Sequence, residues 1–78
     1  MTMGIRSQRA EDFEVVISRL RADEGGGYLA KATELPGCMS DGNTRAEAAH
    51  NIDEAIDAWI ATAIKIGRPI PKPRRNPA

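Results

Sequence analysis

The chain has 78 residues, with 11 basic and 11 acidic side chains, one cysteine and one histidine. A single cysteine excludes an internal disulfide, and one cysteine with one histidine falls short of the four ligands usual in a structural zinc site. No apolar run approaches the roughly 18 residues of a membrane-spanning helix, and residues 1–10 lack the apolar core of a secretory signal. These features predict one cytoplasmic domain that spans no membrane and binds no metal or cofactor.

The small size of the domain bears on its assembly. A chain of this length buries only about 60% of the surface that its unfolded form exposes. Domains below about 70–80 residues are usually reinforced by disulfides, by a metal or by a partner chain. Since the first two are excluded, the sequence predicts self-association, as a dimer or tetramer, or support from another protein.

Acidic and basic residues are segregated along the chain. Residues 10–67 contain all 11 acidic residues but only 5 basic ones, which gives this body a net charge of −6. The remaining 6 basic residues lie in the two ends. An acidic body favours a basic binding partner, although an ordinary solvated surface explains the pattern about equally well.

Alternating and turn-forming residues predict three strands in the first half of the chain. Phe13, Val15 and Ile17 recur at every second position, the pattern of a strand with one buried face. Three successive glycines, a Leu-Pro-Gly sequence and an Asp-Gly-Asn sequence mark the turns. The predicted strands are 13–21, Tyr28–Ala32 and 38–40, and the predicted turns are 22–27, 34–37 and 41–43.

One long helix is predicted in the second half. Thr44 and Glu47 have the T-x-x-E spacing of a capping box, in which each side chain binds a backbone N–H of the first turn. The pattern continues to about Ile66, and Gly67 suits the left-handed position that ends many helices. Apolar residues at spacings of three and four form a stripe: Ala48, Ala49, Ile52, Ala55, Ile56, Trp59, Ile60, Ala63 and Ile66. Beyond the helix, 69–71 is a candidate short edge strand or polyproline segment.

The order and spacing of several short motifs resemble the HicB antitoxin family. The motifs are Tyr28-Leu29-Ala30, Leu35-Pro36-Gly37-Cys38, Gly42-Asn43-Thr44 with Glu47-Ala48, and the exit Gly67-Arg68-Pro69-Ile70-Pro71. They extend over most of the chain, and Asn43 stands where the family more often has Asp. The resemblance implies an α+β domain over 12–71, with a three-stranded antiparallel sheet covered on one face by one helix, described as a partial ribonuclease-H-like fold. The flanking residues, 1–11 and 72–78, are expected to be flexible.

The resemblance also implies a function. Members of the family bind a small basic ribonuclease toxin, HicA, and block its RNA site. Many members carry a C-terminal DNA-binding module, but only 72–78 follow the predicted domain, so we expect no DNA binding. The alternative is a stand-alone homo-oligomeric domain with a structural or small-ligand-binding role and no toxin partner.

Acidic residues are the candidates for toxin binding, because a ribonuclease must present a basic surface to phosphates. They are Asp41, Glu47, Asp53, Glu54 and Asp57. Candidates for an oligomer interface are Trp59, Ile60 and Ile64. For Trp59, a place in the core is the simpler interpretation. A dimer contact is the main alternative, because Trp is enriched in interface hot spots.

Catalysis is not predicted. Cys38 is interpreted as a small core hydrophobe, with a reactive thiol as the alternative, and His50 is the only imidazole that could activate it. His50 itself lies among acids and is interpreted as solvated, with a partner contact or a pH-sensitive site as alternatives. The carboxylates show no spacing that would build a two-metal nuclease site.

Overall fold

Three strands and one long helix make up the fold, in the order that the sequence predicts. The structure is a computed structural model and describes residues 10–72. Its elements are a 3-10 turn at Ala10–Asp12, β1 at Val15–Arg19, a 3-10 turn at Ala22–Glu24, β2 at Tyr28–Ala32, β3 at Met39–Gly42 and α1 at Arg45–Ile66. The α+β class and the β-β-β-α order are confirmed. The predicted flexible ends fall mainly on 1–9 and 73–78, which lie outside the described residues.

The sheet is an antiparallel meander in the order β1-β2-β3. Strand alternation turns one face toward α1, where Ala30 and Ala32 are buried and Ile17 lies opposite Ala30. On the other face the helix provides no cover, and Val16 and Met39 are about half exposed. The predicted alternation of Phe13, Val15 and Ile17 toward the core is confirmed.

The first strand is shorter than the predicted range 13–21. The N–H of Phe13 donates to the carbonyl of Ala10, so this residue closes a 3-10 turn while its ring remains buried. At the other end, the N–H of Arg21 donates to the carboxylate of Glu24, which starts the next turn. The three glycines that follow have φ of 105°, 72° and 79°, which a side chain would disfavour, and they close the predicted hairpin.

The third strand is displaced from the prediction, because it covers Met39–Gly42 instead of 38–40. Asp41 and Gly42, expected in a turn, pair with Leu29 and Tyr28. A Cβ added to Gly42 would lie 2.5 Å from the backbone nitrogen of Ala48. Glycine here is therefore required by the close approach of β3 to the first turn of α1, and not by a turn.

The helix begins and ends where the sequence predicts. Thr44 Oγ1 accepts from the N–H of Glu47 at 3.0 Å. The Glu47 carboxylate accepts from the N–H of Asn43 at 2.6 Å, one residue before the position that a capping box specifies. Gly67 ends the helix with φ of 75°. The buried core comprises Phe13, Ala30, Ala32, Leu35, Cys38, Ala48, Ile52, Ile56, Ile60 and Ala63.

The candidate edge strand at 69–71 does not form. Residues 68–72 have no regular secondary structure, although Ile70 packs against the core. The physical reason is that Pro69 and Pro71 lack the N–H groups with which a strand would bind its neighbour. The segment therefore covers part of the core with one side chain and adds nothing to the sheet.

Candidate partner-binding surface

Three of the predicted acidic residues lie together on the solvent side of α1. Asp53 and Asp57 are one helical turn apart, Glu54 lies beside them, and all three are exposed. Within residues 10–72, no cation forms an ion pair with Asp53 or Asp57. This acidic face, defined here as Asp53, Glu54 and Asp57, presents exposed carboxylates to solvent.

The other two predicted acids are placed elsewhere. The Glu47 carboxylate caps the start of α1 through its bond to Asn43, which gives it a structural role at an exposed position. The side chain of Asp41 lies on the uncovered face of the sheet, because its strand partner Leu29 alternates with the buried Ala30. The structure thus groups three of the five candidates and separates Asp41 and Glu47 from them.

His50 is part of the same helix surface. Its Nε2 lies 3.4 Å from a carboxylate oxygen of Glu54, and both side chains are more than 70% exposed. Such a pair contributes little to stability in water. The imidazole is not placed to take a proton from the Cys38 thiol, because Cys38 is buried in the core while His50 faces solvent.

Cys38 has the environment of a structural residue. The side chain is 6% exposed and belongs to the core cluster. Desolvation by burial raises the pKa of its thiol, which suppresses the thiolate that nucleophilic chemistry requires. Among the residues described, no three His, Cys, Asp or Glu side chains are grouped so that they could hold a metal ion.

The three predicted interface residues differ in exposure. Trp59 is half-buried, and its indole N–H donates to the carbonyl of Pro36 at 3.1 Å. The guanidinium of Arg68 lies over its ring, 5.0 Å from the ring centre. Ile60 is 6% exposed and belongs to the core, whereas Ile64 is 67% exposed. Trp59 and Ile64 are therefore accessible to a partner, and Ile60 is almost fully covered.

An apolar groove that the sequence did not predict runs between α1 and the end of the sheet. Its volume is about 420 Å³, and its lining consists of Gly37, Cys38, Met39, Ala55, Ala58, Trp59, Thr62, Ala63, Ile66 and Arg68. Met39 and Ile66 are 50% and 65% exposed. Small residues at spacings of three and four, at Ala55, Ala58 and Thr62, were the available signal for such a face.

One edge of the sheet is partly closed by the helix. In the ladder, the carbonyl of Cys38 accepts from Ala32, so the backbone groups of Met39 and Asp41 point away from β2. The Asn51 side chain donates to the outward carbonyl of Asp41 at 2.8 Å. This bond fixes Asn51 and the flank of α1 against β3.

Comparisons with known proteins show which family the chain resembles in sequence. A sequence model of HicB-like antitoxins of bacterial toxin–antitoxin systems matches residues 13–76. The chain is similar to the UPF0150 protein Ta0767 of Thermoplasma acidophilum, with 40% identity over 60 residues, 77% of this chain and 83% of the relative. It is also similar to the UPF0150 protein ssr1765 of Synechocystis sp., with 43% identity over 53 residues, 68% of this chain and 67% of the relative. No solved structure matches.

The part of the chain that the structure describes contains no helix that is long and apolar enough to cross a membrane. The family match spans the sheet, α1 and the exit segment, and it includes the turn at Leu35-Pro36-Gly37-Cys38 and the cap at Thr44. The chain belongs to the family of HicB-like antitoxins of bacterial toxin–antitoxin systems.

Proposed function

We propose that this protein neutralises a small, basic, mRNA-cleaving ribonuclease of the HicA type by covering the surface with which that enzyme holds RNA. Membership of an antitoxin family supports an antitoxin role, a toxin partner and the absence of an activity of its own in general terms. The choice of a ribonuclease, and the surface that meets it, are the finer steps of the proposal.

The observation that carries the proposal is the acidic face. An enzyme that cleaves RNA needs cationic side chains to bind phosphates. Asp53 and Asp57 offer exposed carboxylates that form no ion pair with a cation in 10–72, and the body around them is acidic. Such a surface attracts the cationic site from a distance and occupies it on contact, so binding should be fast and sensitive to salt.

The experiment is a charge reversal on that face. We expect the double variant Asp53→Lys/Asp57→Lys to bind the basic protein encoded beside this chain at least tenfold more weakly, since like charges placed opposite each other at an interface cost several kcal/mol. Titration calorimetry at low ionic strength measures the change, and rescue of growth on co-expression gives the cellular readout.

The matched control is Asp23→Lys/Glu24→Lys, which makes the same charge change on the exposed hairpin turn. That variant should bind the toxin as the wild type does, with only a small loss of stability, because it removes the exposed Arg21–Asp23 pair and the bond that Glu24 accepts from the N–H of Arg21. Equal weakening by both variants would mean that only net charge matters and that the acidic face is not the binding surface. A neighbouring protein that is harmless alone, or that this chain fails to restrain, would contradict the antitoxin role itself.

A further inference from the structure

The flank of α1 that borders the apolar groove has the composition of a helix-packing seam. Asn51, Ala55, Ala58 and Thr62 recur at spacings of four, three and four residues, which places them in one row along the helix. Asn51 is held against β3 by its bond to Asp41, so this row faces the groove side of the molecule. Its small side chains would let a second helix approach closely.

The charges of the groove argue against a basic occupant. No carboxylate lines it, and its one charged residue, Arg68, is a cation that lies over the ring of Trp59. A cationic toxin would gain nothing from this surface, whereas the acidic face offers it carboxylates. The occupant of the groove is therefore expected to present an apolar surface with its own balance of charges.

Two charged residues on the outer rim of the seam complement each other under a two-fold axis. Glu54 and Lys65 are 11 residues apart, which places them about 20° apart around the helix axis. A two-fold axis near residue 60 would bring two α1 helices together antiparallel, with Glu54 of each copy opposite Lys65 of the other. The same axis sets the small residues Ala58 and Thr62 against each other at the centre.

The groove also fits the end of a second helix. Asp41 contacts Asn51, and Pro36 contacts Trp59. Met39 lies between Pro36 and Asp41 in sequence, and it is therefore beside Ala55, which lies between Asn51 and Trp59 on the helix. A two-fold axis near residue 60 places Ile66 of the second copy close to Ala55, at the end of the groove that Met39 borders. Ile66 is one of the four large hydrophobic residues that remain exposed among those described, and this contact would cover it, whereas the Met39 side chain lies on the uncovered face of the sheet.

From this complementarity we infer that a second copy of the chain docks in the groove, with the two α1 helices antiparallel along Asn51, Ala55, Ala58 and Thr62. Asp53 and Asp57 lie on the opposite flank of α1, roughly 130–170° around the helix from the seam. The dimer therefore leaves them exposed, and each copy can still bind its own basic partner. The dimer does not depend on the proposed antitoxin function.

The test compares two isoleucines of equal exposure on opposite flanks of the same helix end. Ile66 lines the groove and is 65% exposed, while Ile64 is 67% exposed and lies outside it. Sedimentation equilibrium at micromolar concentration should find a dimer for the wild type and for Ile64→Lys. For Ile66→Lys, the dissociation constant should rise at least tenfold, because the substitution places a charge in the apolar contact.

A charge swap supplies a second test that does not depend on the groove. Glu54→Lys and Lys65→Glu should each weaken the dimer, since each sets like charges opposite one another, and the double variant should restore it. Thermal melting shows whether each variant is folded, and all four positions are exposed. A monomeric wild type, an Ile66→Lys variant as dimeric as Ile64→Lys, or a double variant weaker than both singles would overturn the inference. Toxin binding measured on the Ile66→Lys and Ile64→Lys variants, which leave the acidic face unchanged, distinguishes loss of the dimer from loss of the antitoxin function.

Discussion

The contact between Gly42 and the first turn of α1 allows a quantitative prediction. A Cβ at position 42 would lie 2.5 Å from the nitrogen of Ala48 and 2.8 Å from the carbonyl carbon of Glu47. Both atoms belong to the helix backbone, so no side-chain rotation relieves the clash. Ordinary contact begins near 3.4 Å, so β3 and the start of α1 would have to separate by about 1 Å in a Gly42→Ala variant.

Overpacking of this kind costs about 2–3 kcal/mol, the upper part of the range for forced insertions. A loss of 1 kcal/mol lowers the melting temperature of a domain this size by about 4–8 °C. We therefore expect Gly42→Ala to melt about 10–20 °C below the wild type in circular dichroism. The displaced helix start would also weaken the bonds that Thr44 and Glu47 make in the cap.

Gly26→Ala separates this clash from the general cost of replacing glycine. Gly26 has φ of 72° but nothing within 4 Å of an added Cβ, so its substitution costs only the backbone strain, about 1 kcal/mol. Gly42→Ala should thus be clearly the less stable of the two. A Gly42→Ala protein that melts with the wild type would refute the close approach of β3 to α1.

Three further substitutions probe the cap, the core thiol and the indole bond. Thr44→Ala should lose about 1 kcal/mol in urea unfolding and Thr44→Ser very little, because only a hydroxyl is needed to accept from Glu47; equal stability of the two variants would contradict this. Burial raises the pKa of the Cys38 thiol above its ordinary value of 9.0, so the unfolded chain loses this proton first and the wild type loses stability as the pH rises past about 9. Cys38→Ala should lack that contribution, and identical losses in the two proteins would argue against it. Trp59→Phe removes the bond to Pro36 and should cost about 1 kcal/mol in the free energy of unfolding; an unchanged urea midpoint would show that this bond contributes nothing.

The elements whose signals are local were predictable from the sequence. Tyr28–Ala32 has its predicted bounds, and α1 starts after Thr44 and ends before Gly67 as expected, because caps and alternation act over a few residues. The third strand was misplaced because Asp-Gly-Asn is a good turn sequence. The role of Gly42 became visible only once the helix lay against it.

The candidate site was predictable in part for the same reason. Asp53, Glu54 and Asp57 share a helix face through their spacing alone, so their grouping follows from the sequence. The groove and the bond from Asn51 to Asp41 join segments that are 10 or more residues apart, and only the packing of α1 on the sheet brings them together. Toxin binding by the acidic face remains a prediction.

The meander order of the sheet has a consequence for the speed of folding. Each strand pairs with the next one along the chain, and α1 follows β3 directly, so most contacts join residues that are near in sequence. Mixed domains with such local topology fold faster than sheets built from distant strands, typically within milliseconds. An antitoxin that folds this quickly has its surfaces in place soon after synthesis, so little time passes before it is able to meet a partner.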